Sequence, residues 1–367
     1  MKYLIWLLLL SGCALLGASE IQNKAPPFKV LHLTFHKGCQ NEVAALAKEF
    51  AFDLTTWFIP DLPDKEFDGK SHGCTLYNIG HERAKKIWKK HKTFFKSFDL
   101  IITSDTAPLA RIFLQNKWKK PLIIWVCNRF DYADQNSLDC DFPDAEYYKL
   151  FARAQRKKNV RIIAYTEFEH AYAMSKGIYT GKLTITPGLT IAEPKASIIP
   201  SQVDKPETFY IPQYHNETIF MDLASHCSAL GIPNYGGRYN GPDDLKDFKG
   251  IIHLPYAWSN LALFENLQQG IPYFVPSLDF FWELFHQNNY FHQDRHLANK
   301  DLIHLSEWYN PEHQPFLIYF NSWKDLQDKI EQTNYLEYRA NIKAYALLHR
   351  EKITEKWNKV LKSLIKS

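Results

Sequence analysis

One carboxylate in this chain sits where a solvated surface does not explain it. Glu265 lies in the stretch YAWSNLALFENLQQGIPYFVPS, and its neighbours Leu261, Leu263, Phe264 and Leu267 are apolar nearly all round the helix. Ser259 and Asn260 precede that helix and are both capping types. The free N–H groups of the first turn, starting at Leu261, together with the helix dipole, favour an anion such as a diphosphate. Glu265 is about one and a half turns into the helix and leans back toward its start. From there it reaches past the anion to hydroxyl groups on the same ligand.

Other reactive side chains gather where apolar runs end. LIITSDTAPLA carries Asp105 just after such a run, where a carboxylate points outward as a candidate base. Its alternative is structural: Asp105 or Thr106 capping the next helix. IIWVCNRFDYAD presents Asn128, Arg129 and Asp131 in the same way, either as anion and acceptor contacts or as a salt-bridged loop. LTFHKGCQNE places His36, Lys37 and Gly38 after the first run, with His36 a second titratable group and Gly38 a point of close backbone approach. In YGGRYNG, Arg238 can clamp a charge and Tyr239 or Tyr235 can stack on a planar ring, the alternative being a plain glycine turn. His32, His36 and Cys39 also suggest a metal, but no fourth ligand is apparent and no metal is expected.

The elements that must position these groups alternate. Strand-like runs FKVLHLTFH, DLTTWFIP, DLIITS, KPLIIWVCN and VRIIAYT are separated by helical spacings. Short, continuous apolar runs between helices indicate a parallel sheet covered on both faces. After a stretch rich in proline and serine the alternation restarts with FYIPQY, GIIHLPY and IPYFVPS, and the chain closes on a long amphipathic helix. The fold class is therefore α/β, with two Rossmann-like domains facing a cleft. The expected division is residues 28–188, a linker 189–207, a second domain 208–334 and a terminal helix 335–367 that packs back on the first domain.

Composition sets the outer bounds. The chain has 367 residues, enough for two domains, with 46% hydrophobic and 23% charged residues, which is ordinary globular material. Aromatic residues reach 15%, which suits sugar or base stacking as well as core packing. A formal charge of +4 gives no ground for a nucleic-acid partner. Residues 1–19 read as a secretory signal with an apolar run from Tyr3 to Leu16, as a lipoprotein signal whose LSGC would place a lipid on Cys13, or as a short anchor. The expected location is thus the secretory route or a membrane. The other five cysteines are scattered and form no disulfide framework, and one glycosylation sequon begins at Asn216. The segment from Glu82 to Phe98 interleaves six lysines with apolar residues; it is either a membrane-surface helix or a solvated face.

From about Lys29 to Ser277 the order of elements resembles GT-B glycosyltransferases. AYTEFEHAYAMSKGI with LTITPG is similar to the end of their first domain, and DLKDFKGIIHLPYAWSNLALFENLQQGIPYFVPS to the donor signature of the large retaining family 4. The second glutamate of that family's E-x7-E pattern matches Glu265, while Ala257 stands at the first; the basic pair usual after the first strand of the second domain is missing. The resemblance implies transfer of a sugar from a nucleotide-sugar to a hydroxyl of a glycan, lipid or protein, without a metal and with retention. It implies that Glu265 holds the ribose. A bilobal solute-binding protein and a GT-B protein that has lost transfer are the rival readings.

Overall fold

The computed structural model describes residues 28–62, 79–131, 143–191, 195–212, 221–287 and 300–365. Cys13 with the rest of residues 1–19, Cys74, Cys140 and Asn216 lie outside them. The first half runs β1 (Lys29–Thr34), α1 (Lys37–Glu49), β2 (Asp53–Phe58), α2 (His81–Lys96), β3 (Leu100–Asp105), α3 (Arg111–Leu114), β4 (Leu122–Val126), α4 (Ala145–Ala154), β5 (Val160–Ala164) and α5 (Glu167–Ser175). The second runs β6 (Phe209–Tyr210), α6 (Leu223–Ala229), β7 (Asn234–Tyr235), α7 (Pro242–Leu245), β8 (Gly250–Ile252), α8 (Leu261–Gln268), β9 (Tyr273–Pro276), α9 (Leu278–Gln287), α10 (Lys300–Ile303), β10 (Leu317–Phe320), α11 (Trp323–Gln332) and α12 (Tyr335–Ile365).

Two parallel sheets result, ordered β2-β1-β3-β4-β5 and β10-β9-β8-β6-β7. Counted within each half, the two windings are the same: the first strand lies between the second and the third. The winding reverses direction at β1 in one sheet and at β6 in the other. Strands β3 and β4 are buried along their whole length, because helices cover both faces of the sheet and leave no position for a polar alternation.

Helix α12 ties the halves together. Near its start, Arg339 donates to the carbonyls of Lys246, Phe248 and Lys249 in the second half. Further along, Arg350 pairs with Glu49 and donates to the Leu189 carbonyl, and His349 Nε2 contacts the Pro187 carbonyl at 2.8 Å. Trp357 is fully buried edge-on to Trp125 of β4, 5.8 Å between rings. Truncating a ring packed this way costs about 3–5 kcal/mol.

The chain leaves the first half under a buried carboxylate. Glu42, on α1, accepts the N–H groups of Gly188, Leu189 and Thr190, each at 2.8 Å, and the Thr190 hydroxyl at 2.6 Å. Three consecutive backbone donors that no strand or helix uses are satisfied by one side chain. This fixes the course of the segment that leads to the second domain.

Candidate functional site

The carboxyl ends of the two sheets face one another, and each half places its reactive side chains at the point where its winding reverses. Open α/β sheets bind ligands in that crevice, because the flanking crossovers run to opposite faces and leave a gap between them.

In the first half the crevice lies between the ends of β1 and β3. His36 is the N-cap of α1, and its Nδ1 accepts the Gly38 N–H at 3.1 Å. Asp105 ends β3 in the left-handed region at φ 70°, an unusual conformation for a non-glycine residue. Its carbonyl accepts the N–H groups of Cys127 and Asn128, both at 3.0 Å, and its Oδ1 accepts from Asn128 Nδ2 at 3.2 Å. Neither Asp105 nor Thr106 caps the following turn, so the capping alternative gives way to a carboxyl held against the β1 end. Cys39 joins the cluster, with its sulfur 3.7 Å from that of Cys127.

These groups set each other's charge. Burial pushes the Asp105 carboxyl up to about 7, the negative charge on Cys39 adds to this, and His36 and the Asn128 hydrogen bond oppose it. Burial would raise Cys39, but hydrogen bonds from Cys127 and His36 and the His36 charge outweigh it and bring the thiol down to about 6. The outer edge of His36 is open to solvent while its ring is crowded. That crowding opposes protonation, and Cys39, Asp105 and Glu265 together raise the imidazole in spite of it. A carboxyl raised to about 7, a thiol lowered to about 6 and an imidazole raised beside them are suited to acid–base work.

In the second half a cavity of ≈ 340 Å³ opens at the ends of β6, β7 and β8. Its wall includes Tyr210, Arg238, Tyr239, His253, Asn260 and Asn266. Asn260, not Ser259, caps α8, with its Oδ1 accepting the Ala262 N–H at 3.0 Å. The Ser259 hydroxyl turns the other way and donates to the Cys127 carbonyl of the first half at 3.0 Å. Arg238 and Tyr239 thus share one cavity with the start of α8, as a cationic and an aromatic wall.

Glu265 lies elsewhere. Helix α8 presents Ala262 and Asn266 to the cavity, whereas Leu261, Glu265 and Gln268 lie on its other side. That side closes against Gly38, Glu42, Gly188 and Thr190 in a slot between the two halves. Burial raises the Glu265 carboxyl, with Glu42 adding to the effect and His36 and Lys195 opposing it. The sequence places Glu265 beside the anion; the fold places it in the slot, within the electrostatic reach of His36, and leaves Arg238 in the cavity. A β-carbon on Gly38 would stand 2.9 Å from Leu261 Cδ1, so Leu261 serves the contact between the halves.

Three expected cleft residues are occupied otherwise. Asp131 is buried and accepts the hydroxyls of Tyr148 at 2.7 Å and Tyr172 at 3.1 Å. Arg129 is buried with its guanidinium 5.7 Å from the Tyr172 ring. Both therefore fasten the loop after β4 to α4 and α5 and do not stand in an open cleft. Lys37 points out toward Gln40, 2.8 Å away. Of the three side chains read as a metal alternative, His32 is fully buried with Nε2 2.8 Å from Ser104 Oγ, while His36 lies past the strand end. Among the described residues no group of three or more His, Cys, Asp or Glu side chains is disposed to hold a metal ion.

Sequence reasoning missed Glu307. It is 1% exposed, its N–H donates to the Trp258 carbonyl, and its carboxyl faces the Tyr165 hydroxyl and the Asn260 N–H. Trp258 itself stacks on Phe168 of the first half at 3.6 Å. A lone acidic residue in LSEWYN carries no pattern that would reveal this burial.

No family model and no curated protein matches the chain. Among solved structures it is similar to a UGT transferase from Siraitia grosvenorii in complex with UDP, at 9% identity and a TM-score of 0.49 over 92% of this chain and 100% of that one. It is similar to S. aureus MnaA solved with UDP at 11% identity and 0.47, over 93% and 98%. The glycosyltransferase SnogD from Streptomyces nogalater follows at 9% and 0.46, over 92% and 99%. These scores describe a shared course of the chain and carry nothing about its chemistry.

Proposed function

We propose that the chain is a glycosyltransferase that takes a sugar from a nucleoside diphosphate sugar and passes it to an acceptor hydroxyl. One observation carries this reading. Two sheets of the same winding turn their reversal points toward each other, one offering a cavity with cationic, aromatic and helix-start walls, the other an acid–base cluster of buried Asp105 and Cys39 with His36 at its rim. A nucleotide with a charged tail fits the first, and proton removal from a hydroxyl fits the second.

The base would stack against Tyr239 or Tyr210, and the diphosphate would lie between Arg238 and the start of α8. The sugar would extend toward the slot, where Glu265 meets hydroxyls of the donor. Asp105, with a pKa of about 7, would accept the acceptor proton, with His36 and Cys39 adjusting its charge. The leaving diphosphate gains negative charge as the bond breaks, and Arg238 with the α8 dipole stabilises it without reorganising. Because the slot is closed, with Leu261 seated on Gly38, the acceptor enters by separation of the halves, and closure excludes water. Retention comes into the proposal from the family 4 resemblance. A single displacement by a hydroxyl deprotonated at Asp105 inverts instead, and the anomeric coupling in the product's proton spectrum decides between them.

The binding half is tested by thermal unfolding with nucleoside diphosphates. At a concentration 100 times its dissociation constant a ligand stabilises the folded chain by about 2.7 kcal/mol. The wild type should respond to one nucleotide, and Arg238→Ala should lose most of the response while melting normally alone, since Arg238 is exposed. A wild type that responds to none overturns the reading.

A further inference from the structure

A second pocket lies at the opposite end of the first domain, where its strands begin. It has a volume of ≈ 420 Å³ and is lined by Trp88, Trp118, Lys96, Lys117, Lys119 and Lys120 with Asn116. We propose that this pocket takes the phosphate headgroup of an anionic phospholipid and that the edge around it is the face on which the protein sits on a bilayer.

The charge argues first. Lys85, Lys89, Lys92 and Lys96 fall at i, i+4, i+7 and i+11 on α2, so they form one stripe that runs down the helix to the pocket. All four are exposed, as are Lys117 and Lys119. Among the described residues only Lys85 of these six is in an ion pair, with Glu82 at 3.6 Å. Lys120 donates to the carbonyls of Lys96 at 2.8 Å and Phe98 at 2.7 Å, which ties the end of α2 to the turn that carries Lys117 and Lys119. The Lys117 backbone is left-handed at φ 54°, a conformation a lysine rarely adopts. Nearby Lys157 has its pKa lowered by burial and then by Lys119 and Arg153. Positive charge of this density attracts an anionic surface.

The topology argues second. Strands β1, β3 and β4 are parallel neighbours, so all three begin at this edge. The Asp99 N–H donates to the Lys29 carbonyl at 2.8 Å and its Oδ2 accepts the Lys29 N–H at 2.9 Å, which pins the start of β1 beside the end of α2. Strand β1 therefore begins on the side of the domain that carries the pocket. The chain upstream of it contains the uncharged apolar run from Tyr3 to Leu16. The residues joining Leu16 to Phe28 span at most about 40 Å, so a run held in a bilayer, as a helix or by a lipid on Cys13, keeps this edge within reach of the headgroups. The cleft lies at the opposite edge of the same sheet and stays open to solvent in that pose.

Flotation of the full chain with lipid vesicles tests the proposal. One set is phosphatidylcholine alone, the other contains phosphatidylglycerol as one lipid in four. The apolar run contributes equally to both, so the preference for anionic vesicles isolates the charged face. The wild type should prefer anionic vesicles, and the preference should collapse as salt shortens the screening length from about 10 Å at 0.1 M to about 3 Å at 1 M. Lys96→Gln with Lys117→Gln and Lys119→Gln should lower partition onto anionic vesicles about a hundredfold, at about fivefold per lysine, and leave binding to neutral vesicles and the melting temperature unchanged. Lys324→Gln with Lys329→Gln and Lys359→Gln removes equal charge elsewhere and should have a much smaller effect. Equal losses in the two triple variants, or no preference in the wild type, would overturn the assignment.

Discussion

Replacing Asp105 with asparagine should make the protein more stable, and only above a defined pH. The carboxyl ionises near 3.8 when exposed and near 7 in the folded chain, because burial and the Cys39 charge disfavour its anion. Between those values the folded chain holds a proton that the unfolded chain has released. Stability contributed by the protonated form is therefore complete below pH 3.8 and is lost as pH rises through 7. At about 1.4 kcal/mol for each pH unit between them, ionised Asp105 destabilises the fold by about 4 kcal/mol at pH 8. Asparagine keeps the shape, keeps an oxygen for the Asn128 Nδ2 contact, and tolerates the left-handed φ of 70°. Urea unfolding of wild type and Asp105→Asn at pH 4 and at pH 8 measures the effect. The variant should match the wild type at pH 4 and exceed it by up to about 4 kcal/mol at pH 8. The facing groups enter as controls: Cys39, at about 6, works in the opposite direction and should add stability from pH 6 toward 9 in both proteins. A variant no more stable than the wild type at pH 8, or equally stabilised at both pH values, would refute the account of this cluster. Stabilisation accompanied by lost transfer would mark Asp105 as a residue held for chemistry at the expense of folding.

Glu42→Ala should be among the most damaging single changes, because it strands three backbone N–H groups and a hydroxyl in a buried site; a loss of about 3–5 kcal/mol is expected from denaturant midpoints, and a loss below 1 kcal/mol would mean the segment finds other partners. Gly38→Ala places a methyl group 2.9 Å from Leu261 Cδ1 and 3.1 Å from its Cβ, so the closed contact should weaken by about 1–3 kcal/mol and small-angle scattering should report a more open shape. Pairing it with Leu261→Ala removes the Cδ1 clash but not the one with Cβ, so the compact form should return only in part. Glu307→Gln should be stabilising at pH 8 and neutral near pH 4, since burial raises the folded carboxyl well above its ordinary 4.5; stability that rises with pH relative to the variant would contradict that.

Much of the framework is legible in local patterns. The runs KVLHLT, LIITSD and LIIWV become β1, β3 and β4, because a strand covered on both faces has to be apolar throughout. A cap before α8 is readable because Ser259 and Asn260 both carry an oxygen for the free N–H groups of an apolar helix; that Asn260 takes the role is visible only in the fold. Asp105 and His36 were readable as strand-end groups, since parallel α/β sheets expose side chains there. Arg129 and Asp131 carry the same local signal, yet two tyrosine hydroxyls and an aromatic ring from α4 and α5 take them up. Nothing within ten residues of them shows that.

What the sequence alone determined is the set of elements and the strand-end addresses of its reactive residues, because apolar periodicity and cap chemistry act over a few residues. The tertiary structure alone decided which addresses meet. It brought Cys39 to Cys127, 88 positions apart, and with them a thiol, an imidazole and a carboxyl into one electrostatic cluster. It put Glu265 in the slot and Arg238 in the cavity, and it buried Glu42 and Glu307, whose surroundings in the chain are ordinary. Charge, desolvation and proton affinity depend on what lies within a few ångströms in space. That distance is settled by the packing of the whole chain and by no segment of it.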